Sequence, residues 1–225
     1  MLNQFLWIIL PYICIMIFFL GHVARFKYDK FSWTAKSSEF IEKKQLKWGS
    51  IFFHLGIIPV AMGHFVGLII PAWWLEAIGI NEHLYHVGAV YIGSIFGIMT
   101  LIGMILLTAR RITIKNIRRL SSTLDIVVNA LILLIVFMGC YATLVTNILS
   151  PAFDYRETIS VWFRGLFVFS PNAQLMEEVP FAFKIHVLLG FVVLALWPFT
   201  RLVHVWSVPL TYANRSYIIY RKHKV

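Results

Sequence analysis

The sequence predicts an all-α polytopic membrane protein: a bundle of five transmembrane helices with the N-terminus outside and the C-terminus cytoplasmic. Three observations predict it. The chain of 225 residues is 60% hydrophobic and 13% charged, and its mean hydropathy is +0.78. A soluble domain needs more polar surface than that, whereas lipid solvates the outside of a membrane bundle. Five apolar runs are long enough to cross a hydrocarbon core of ~30 Å, which takes ~20 helical residues. Lysine and arginine alternate between the connections as the positive-inside rule requires.

The five runs cover roughly 5–24, 50–70, 86–108, 124–148 and 183–203. The first lacks a positive n-region and a small-residue cleavage site, so it reads as a retained helix and not as a signal peptide. In the fifth, Lys184 and Arg201 flank the uncharged run 185–200 and are expected to snorkel toward the headgroups, and Trp197-Pro198 is expected to kink it. Loop 25–48 carries Arg25, Lys27, Lys30, Lys36, Lys43, Lys44 and Lys47. Loop 109–123 carries Arg110, Arg111, Lys115, Arg118 and Arg119, and the tail carries Arg215, Arg221, Lys222 and Lys224. By contrast, 71–85 has no Lys or Arg and 149–182 has only Arg156 and Arg164. These counts place the basic loops and the C-terminus on the cytoplasmic side. The longest outside connection, PAFDYRETISVWFRGLFVFSPNAQLMEEVPF, holds the apolar patch VWFRGLFVF, expected on the outer membrane surface.

Residues 1–225 form a single membrane domain, with no repeat, linker or low-complexity tract. The net charge of +10 flanks apolar spans and forms no basic stripe with interleaved aromatics, which argues for membrane lipid and against nucleic acid. Cys14 and Cys140 lie deep in apolar runs and read as packing residues. No CxxC or cysteine cluster is present, so the chain carries no iron–sulfur cluster of its own.

Of eight histidines, His54 and His64 lie in the second run and His186 and His204 in the fifth. An imidazole in a span needs a partner, either a neighbouring helix or a cofactor. Ten helical residues rise ~15 Å and eighteen rise ~27 Å, so the four cannot share one metal. A four-His zinc site, with ligands at ~2.1 Å, is excluded. Two sites at different depths fit. The second helix runs outward and the fifth inward, so His64 pairs with His186 at the outer level and His54 with His204 at the inner level. On a regular helix, eighteen residues make five turns and put His186 and His204 on one face, while His54 and His64 stand about 80° apart. The two rises do not match.

One imidazole above and one below, in a dry bundle, suits a bis-imidazole haem devoted to electron transfer. Gly56, Gly63 and Gly190 would let a flat macrocycle approach the backbone. Arg201, Arg110 and Arg111 are possible partners for the inner haem propionates. Arg110 and Arg111 serve equally well as positive-inside anchors.

HLGIIPVAMGHFVG, KIHVLLGFVVLALWPFTRLVHVWSVPL and RFKYDKFSWTAKSSEF together resemble the gamma subunit of respiratory membrane-bound nitrate reductase, over nearly the whole chain. The resemblance implies a five-helix cytochrome b with two haem b groups, ligated at His54, His204, His64 and His186. It implies quinol (menaquinol or ubiquinol) oxidised near the outer haem and electrons passed through the inner haem to an iron–sulfur beta subunit. That subunit would feed a molybdenum-cofactor alpha subunit, which reduces nitrate. The chain would then be the quinol-oxidising subunit, in the bacterial cytoplasmic membrane. The family pattern has a lysine at the outer start of the third helix, where this chain reads NEHLYHVGA. His86 or His83 could take over its hydrogen bond to quinol, or both are exposed loop histidines, and Gly63 beside His64 is a further quinol-site candidate. The alternatives are the cytochrome b anchor of a hydrogenase or formate dehydrogenase, and a non-redox transporter with buried histidines.

Overall fold

A computed structural model describes residues 1–29, 38–146 and 153–206. It is all helical among these residues, and five helices are long and apolar enough to cross a membrane. These spans are Leu2–Tyr28, Lys44–Ile69, Glu82–Thr113, Thr123–Thr146 and Phe181–Phe199. Lys30, Lys36, His223 and the basic residues of the tail lie outside the described residues.

All five spans begin earlier than the apolar runs suggest, the second and third most of all, because a helix continues into the headgroup zone where charged residues are solvated. The second span takes up Lys44 and Lys47. The third starts at Glu82, with the Asn81 side chain accepting from the Leu84 N–H. His83 and His86 therefore stand on its first turns and not in a loop. Gly79, at φ +88°, closes the tight turn before Asn81. The fourth span opens on a capping box, in which Ser122 and Asp125 exchange side-chain-to-backbone hydrogen bonds.

The second and third spans have the most extensive contact. Small residues make it possible. A Cβ on Gly56 would strike Thr100 and the Phe96 carbonyl, and one on Gly103 would strike the Phe53 backbone. Gly56 is therefore a helix-contact glycine and not a macrocycle cradle. The remaining large contacts join third to fourth, fourth to fifth and fifth to first. Asn129 donates to Thr108 Oγ1 at 2.7 Å between third and fourth. Pro198 packs on Gly21 between fifth and first.

The fifth span departs most from expectation. Its α-helix ends at Leu196. A 3-10 turn covers Trp197–Phe199, Thr200 is extended, and a second 3-10 segment covers Arg201–Val205. The expected kink is a break. Pro198 supplies no N–H and clashes with a continuing helix, so the α ladder stops before it. His204 is thus off the α-helix, and the five-turn, one-face relation to His186 does not hold. With His204 beyond the α ladder, the ~27 Å rise reckoned for eighteen α-helical residues no longer applies.

The two ends of the bundle differ. The basic end carries Arg25, Lys27, Lys43, Lys44, Lys47, Arg110, Arg111, Arg118 and Arg119 at or just beyond span ends. At the opposite end, the apolar patch forms a helix, Ile159–Phe167, that packs into the bundle. Trp162 is fully buried there, its indole N–H donating to the Trp7 carbonyl at 2.7 Å. Ile159, Leu166, Met176 and Phe191 complete this core. The patch plugs the bundle through one face, while Phe167, Val168 and Phe169 stay exposed.

Candidate functional site: two histidine pairs

The second and fifth spans face each other through imidazole rings. His64 and His186 have ring centroids 5.9 Å apart and planes 26° apart. His54 and His204, toward the basic end, are 6.1 Å and 78° apart. Among the described residues, no three metal-ligating side chains converge. Each site therefore offers two imidazoles, and a metal held there would take its remaining ligands from outside the described side chains.

The spacing tests that fit. An imidazole nitrogen lies ~1.1 Å from its ring centroid and binds iron at ~2 Å, so two axial rings across one iron stand ~6.2 Å apart. Both pairs match this value.

The hydrogen bonds test it again. Every Nδ1 in the two pairs lies beside a backbone carbonyl: His54 with Ser50 at 2.8 Å, His64 with Val60 at 2.8 Å, His186 with Ile135 at 2.9 Å and His204 with Arg201 at 2.7 Å. A carbonyl only accepts, so Nδ1 carries the proton and Nε2 the lone pair. This tautomer leaves the lone pair on Nε2, the nitrogen that could ligate a metal, with the ring orientation held from behind.

Gly139 is the residue that sequence reasoning missed. A Cβ there would lie 2.8 Å from His186 Cε1 and 3.1 Å from Nδ1. The His186 ring thus lies against the backbone of the fourth span, where it reaches the Ile135 carbonyl. No motif marks this glycine, because its contact is made only in the tertiary structure. Gly63 and Gly190 are more open: a Cβ on Gly63 would meet nothing within 4 Å, and one on Gly190 only Ile135 Cδ1 at 3.7 Å.

A polar cluster sits one turn beyond His64. Tyr85 and Tyr155 share a hydrogen bond of 2.5 Å over Gly67, and Arg156 stands 4.4 Å from the centre of the Tyr85 ring. Burial pushes the Tyr155 phenol well up, so it stays a neutral hydroxyl. His83 and His86 are exposed, and among the described residues neither makes a hydrogen bond or a ring contact.

The three arginines take different places. Arg110, almost fully buried, donates to Glu42 Oε2 at 2.8 Å, Ser38 Oγ at 3.0 Å, and the Ser38 and Glu42 carbonyls at 3.0 and 2.7 Å. It clamps the connection before the second span. Arg201 makes a fork to Asp125, at 2.9 and 3.0 Å. Arg111 donates to Ser121 Oγ at 2.7 Å, and its Nε is buried without a hydrogen-bond partner among the described residues.

Comparison with known proteins gives the chain its family. The family model described as nitrate reductase gamma subunit matches residues 3–223. The nitrate reductase gamma chain of Bacillus subtilis is 49% identical over 99% of this chain and 99% of its own length. The respiratory nitrate reductase 2 gamma chain of Escherichia coli is 34% identical over 99% and 98%. The nitrate reductase-like protein NarX of Mycobacterium tuberculosis is 43% identical over all of this chain, which spans 34% of that longer protein. The chain belongs to the nitrate reductase gamma subunit family, and so is a membrane subunit of a multi-subunit oxidoreductase.

Proposed function

We propose that this chain oxidises quinol at the end opposite the basic one and conducts the electrons through two b haems to the basic end. There an iron–sulfur beta subunit would take them on to a molybdenum-cofactor alpha subunit that reduces nitrate. The observation that carries the reading is the repeated geometry: two imidazole pairs, each at one-iron spacing, each ring with Nδ1 held by a carbonyl. When bound between His64 and His186 and between His54 and His204, each haem would supply a one-electron iron couple for electron transfer.

The chain's own residues do the rest. His64 and His186 hold the site nearer the quinol, and His54 and His204 the site nearer the partner. Gly63 offers open backbone beside His64, and His83 and His86 offer imidazole nitrogens to a quinol hydroxyl at the start of the third span. Tyr85 and Tyr155 give that end a neutral hydroxyl pair able to pass a proton toward solvent. Arg111 keeps a buried Nε donor for an anionic group such as a propionate. The positive-inside rule puts the basic end in the cytoplasm and the N-terminus outside, in a bacterial cytoplasmic membrane.

The test is a reduced-minus-oxidised spectrum with a haem count on the complex. Two b haems per chain are expected, with His64→Ala retaining one and losing quinol oxidation. A purified complex without a b-type band refutes the reading.

A further inference from the structure

Three of the four site histidines lean on carbonyls of regular helix: Ser50 and Val60 in the second span, Ile135 in the fourth. His204 does not. Its carbonyl belongs to Arg201, past the end of the fifth α-helix at Leu196 and past the extended Thr200. At the edges of this segment the Val203 N–H donates to the Thr200 carbonyl at 3.5 Å and the Trp206 N–H to the Val203 carbonyl at 3.0 Å, and the Leu202 N–H donates to Thr200 Oγ1 at 3.3 Å. Burial of Val203 holds the segment against the bundle. Burial alone fixes no direction for a carbonyl.

The direction comes from the fourth span. Arg201 Nε and one terminal nitrogen donate to the two oxygens of Asp125 at 2.9 and 3.0 Å. A fork-to-fork pair fixes the plane of the guanidinium as well as its position. Asp125 is itself held: its Oδ2 accepts the Ser122 N–H at 3.0 Å, and its own N–H donates to Ser122 Oγ at 3.1 Å. The residue that presents the carbonyl to His204 is thus the residue pinned to the helix cap.

We propose that Asp125 is the positioning residue of the basic-end ligand His204, acting through Arg201. It does two things. It holds the Arg201 carbonyl where His204 Nδ1–H can donate, which sets the plane of the imidazole. It also compensates the guanidinium charge beside the basic-end site, which holds that site's reduction potential down. The proposal rests on the two-haem reading above.

The two roles give a signature that loose packing does not. Asp125→Asn leaves the guanidinium uncompensated, which favours the reduced iron, so the midpoint of the basic-end haem rises. Arg201→Gln leaves the carboxylate uncompensated, so the same midpoint falls. Asp125→Glu, which keeps the charge, restores a midpoint near that of the unaltered chain. The experiment is a redox titration of both haems in the membrane-bound complex, with paramagnetic resonance of the oxidised irons. The basic-end haem is identified as the one that His54→Ala removes. Opposite shifts confined to that haem, with its resonance changed and the other's kept, are the expected result. Loss of that haem alone in Asp125→Asn supports the proposal where Asp125→Glu restores it with its original midpoint and resonance, and overturns it where Asp125→Glu does not. Two unmoved midpoints in Asp125→Asn, or two that move together, overturn it. If the unaltered complex shows no b-type haem, the reading beneath has failed, and that is seen before any variant is made.

Discussion

The two histidine pairs are alike in spacing and opposite in how they are held. His64 and His186 both sit on regular α-helix, and their planes are nearly parallel at 26°. Their end of the bundle holds an apolar core built on Trp7, Trp162 and Met176 beside the Tyr85–Tyr155–Arg156 cluster. His54 faces a ring on irregular backbone, with planes nearly perpendicular at 78°. Its end of the bundle is fastened by Arg110 to Glu42, Arg201 to Asp125 and Arg111 to Ser121. One pair stands on two regular helices, while the other has one ring on irregular backbone next to the Arg201–Asp125 ion pair. The same ligand chemistry can be built either way, but the two constructions should fail differently.

The largest effect breaks the pairing itself. His64→Ala with His186→Ala should leave one haem, while His64→Ala with His204→Ala should leave none. A haem count on detergent-purified complex separates the two, and equal counts would show that the pairs are wrongly drawn.

Next is Gly139→Ala. The added methyl must displace the His186 ring or the fourth span, an overpacking cost of about 1–3 kcal/mol. Several-fold loss of the opposite-end haem is expected with the basic-end haem kept, read from low-temperature spectra. Full retention of both would remove Gly139 from the construction.

A smaller effect needs no mutation. Perpendicular axial planes leave the iron d orbitals closer to degenerate than parallel ones do. The basic-end haem should therefore have the larger maximum g value, and the reverse order would contradict the 78° and 26° planes.

The smallest is a pH effect at the basic end alone. The Gln45 N–H holds the Glu42 carboxyl below the usual carboxylate range against an opposing push from burial, with Arg110 and the Leu46 N–H adding to the lowering. A lowered folded pKa means that the Arg110–Glu42 fastening contributes fully above the unfolded value of about 4.3 and is lost as pH falls through the folded value. Proteolysis of the connection before the second span should quicken in that acid window and lose its pH dependence in Glu42→Gln. The Trp162 helix, which has no ion pair in its core, should show no matching change.

Much of this was legible in the sequence. Hydropathy found the five spans, because lipid demands long uncharged runs whatever the partners are. Counting residues from opposite directions along two antiparallel helices set His64 against His186 and His54 against His204, whose rings the fold brings to 5.9 and 6.1 Å. The helix break was only half legible: Pro198 announced a disturbance, but a proline can kink or stop a helix, and only the packing against Gly21 decides. Gly139 and Asp125 were not legible as parts of the site. Their roles depend on which face of the fourth span meets the fifth, and no periodicity in an all-apolar run fixes that. The VWFRGLFVF patch had the composition of a surface-lying segment. Its burial follows from Trp162 finding the Trp7 carbonyl, 155 residues away.

The uninterrupted second span has a consequence for energy conversion. Ten residues between His54 and His64 put the two sites ~15 Å apart along a helix, about half of a ~30 Å hydrocarbon core. On the proposed reading, each electron that steps from one site to the other crosses about half the membrane voltage, ~1.2 kcal/mol of work per 100 mV. The α pitch of one helix would therefore set how strongly this subunit's turnover slows as the membrane becomes charged.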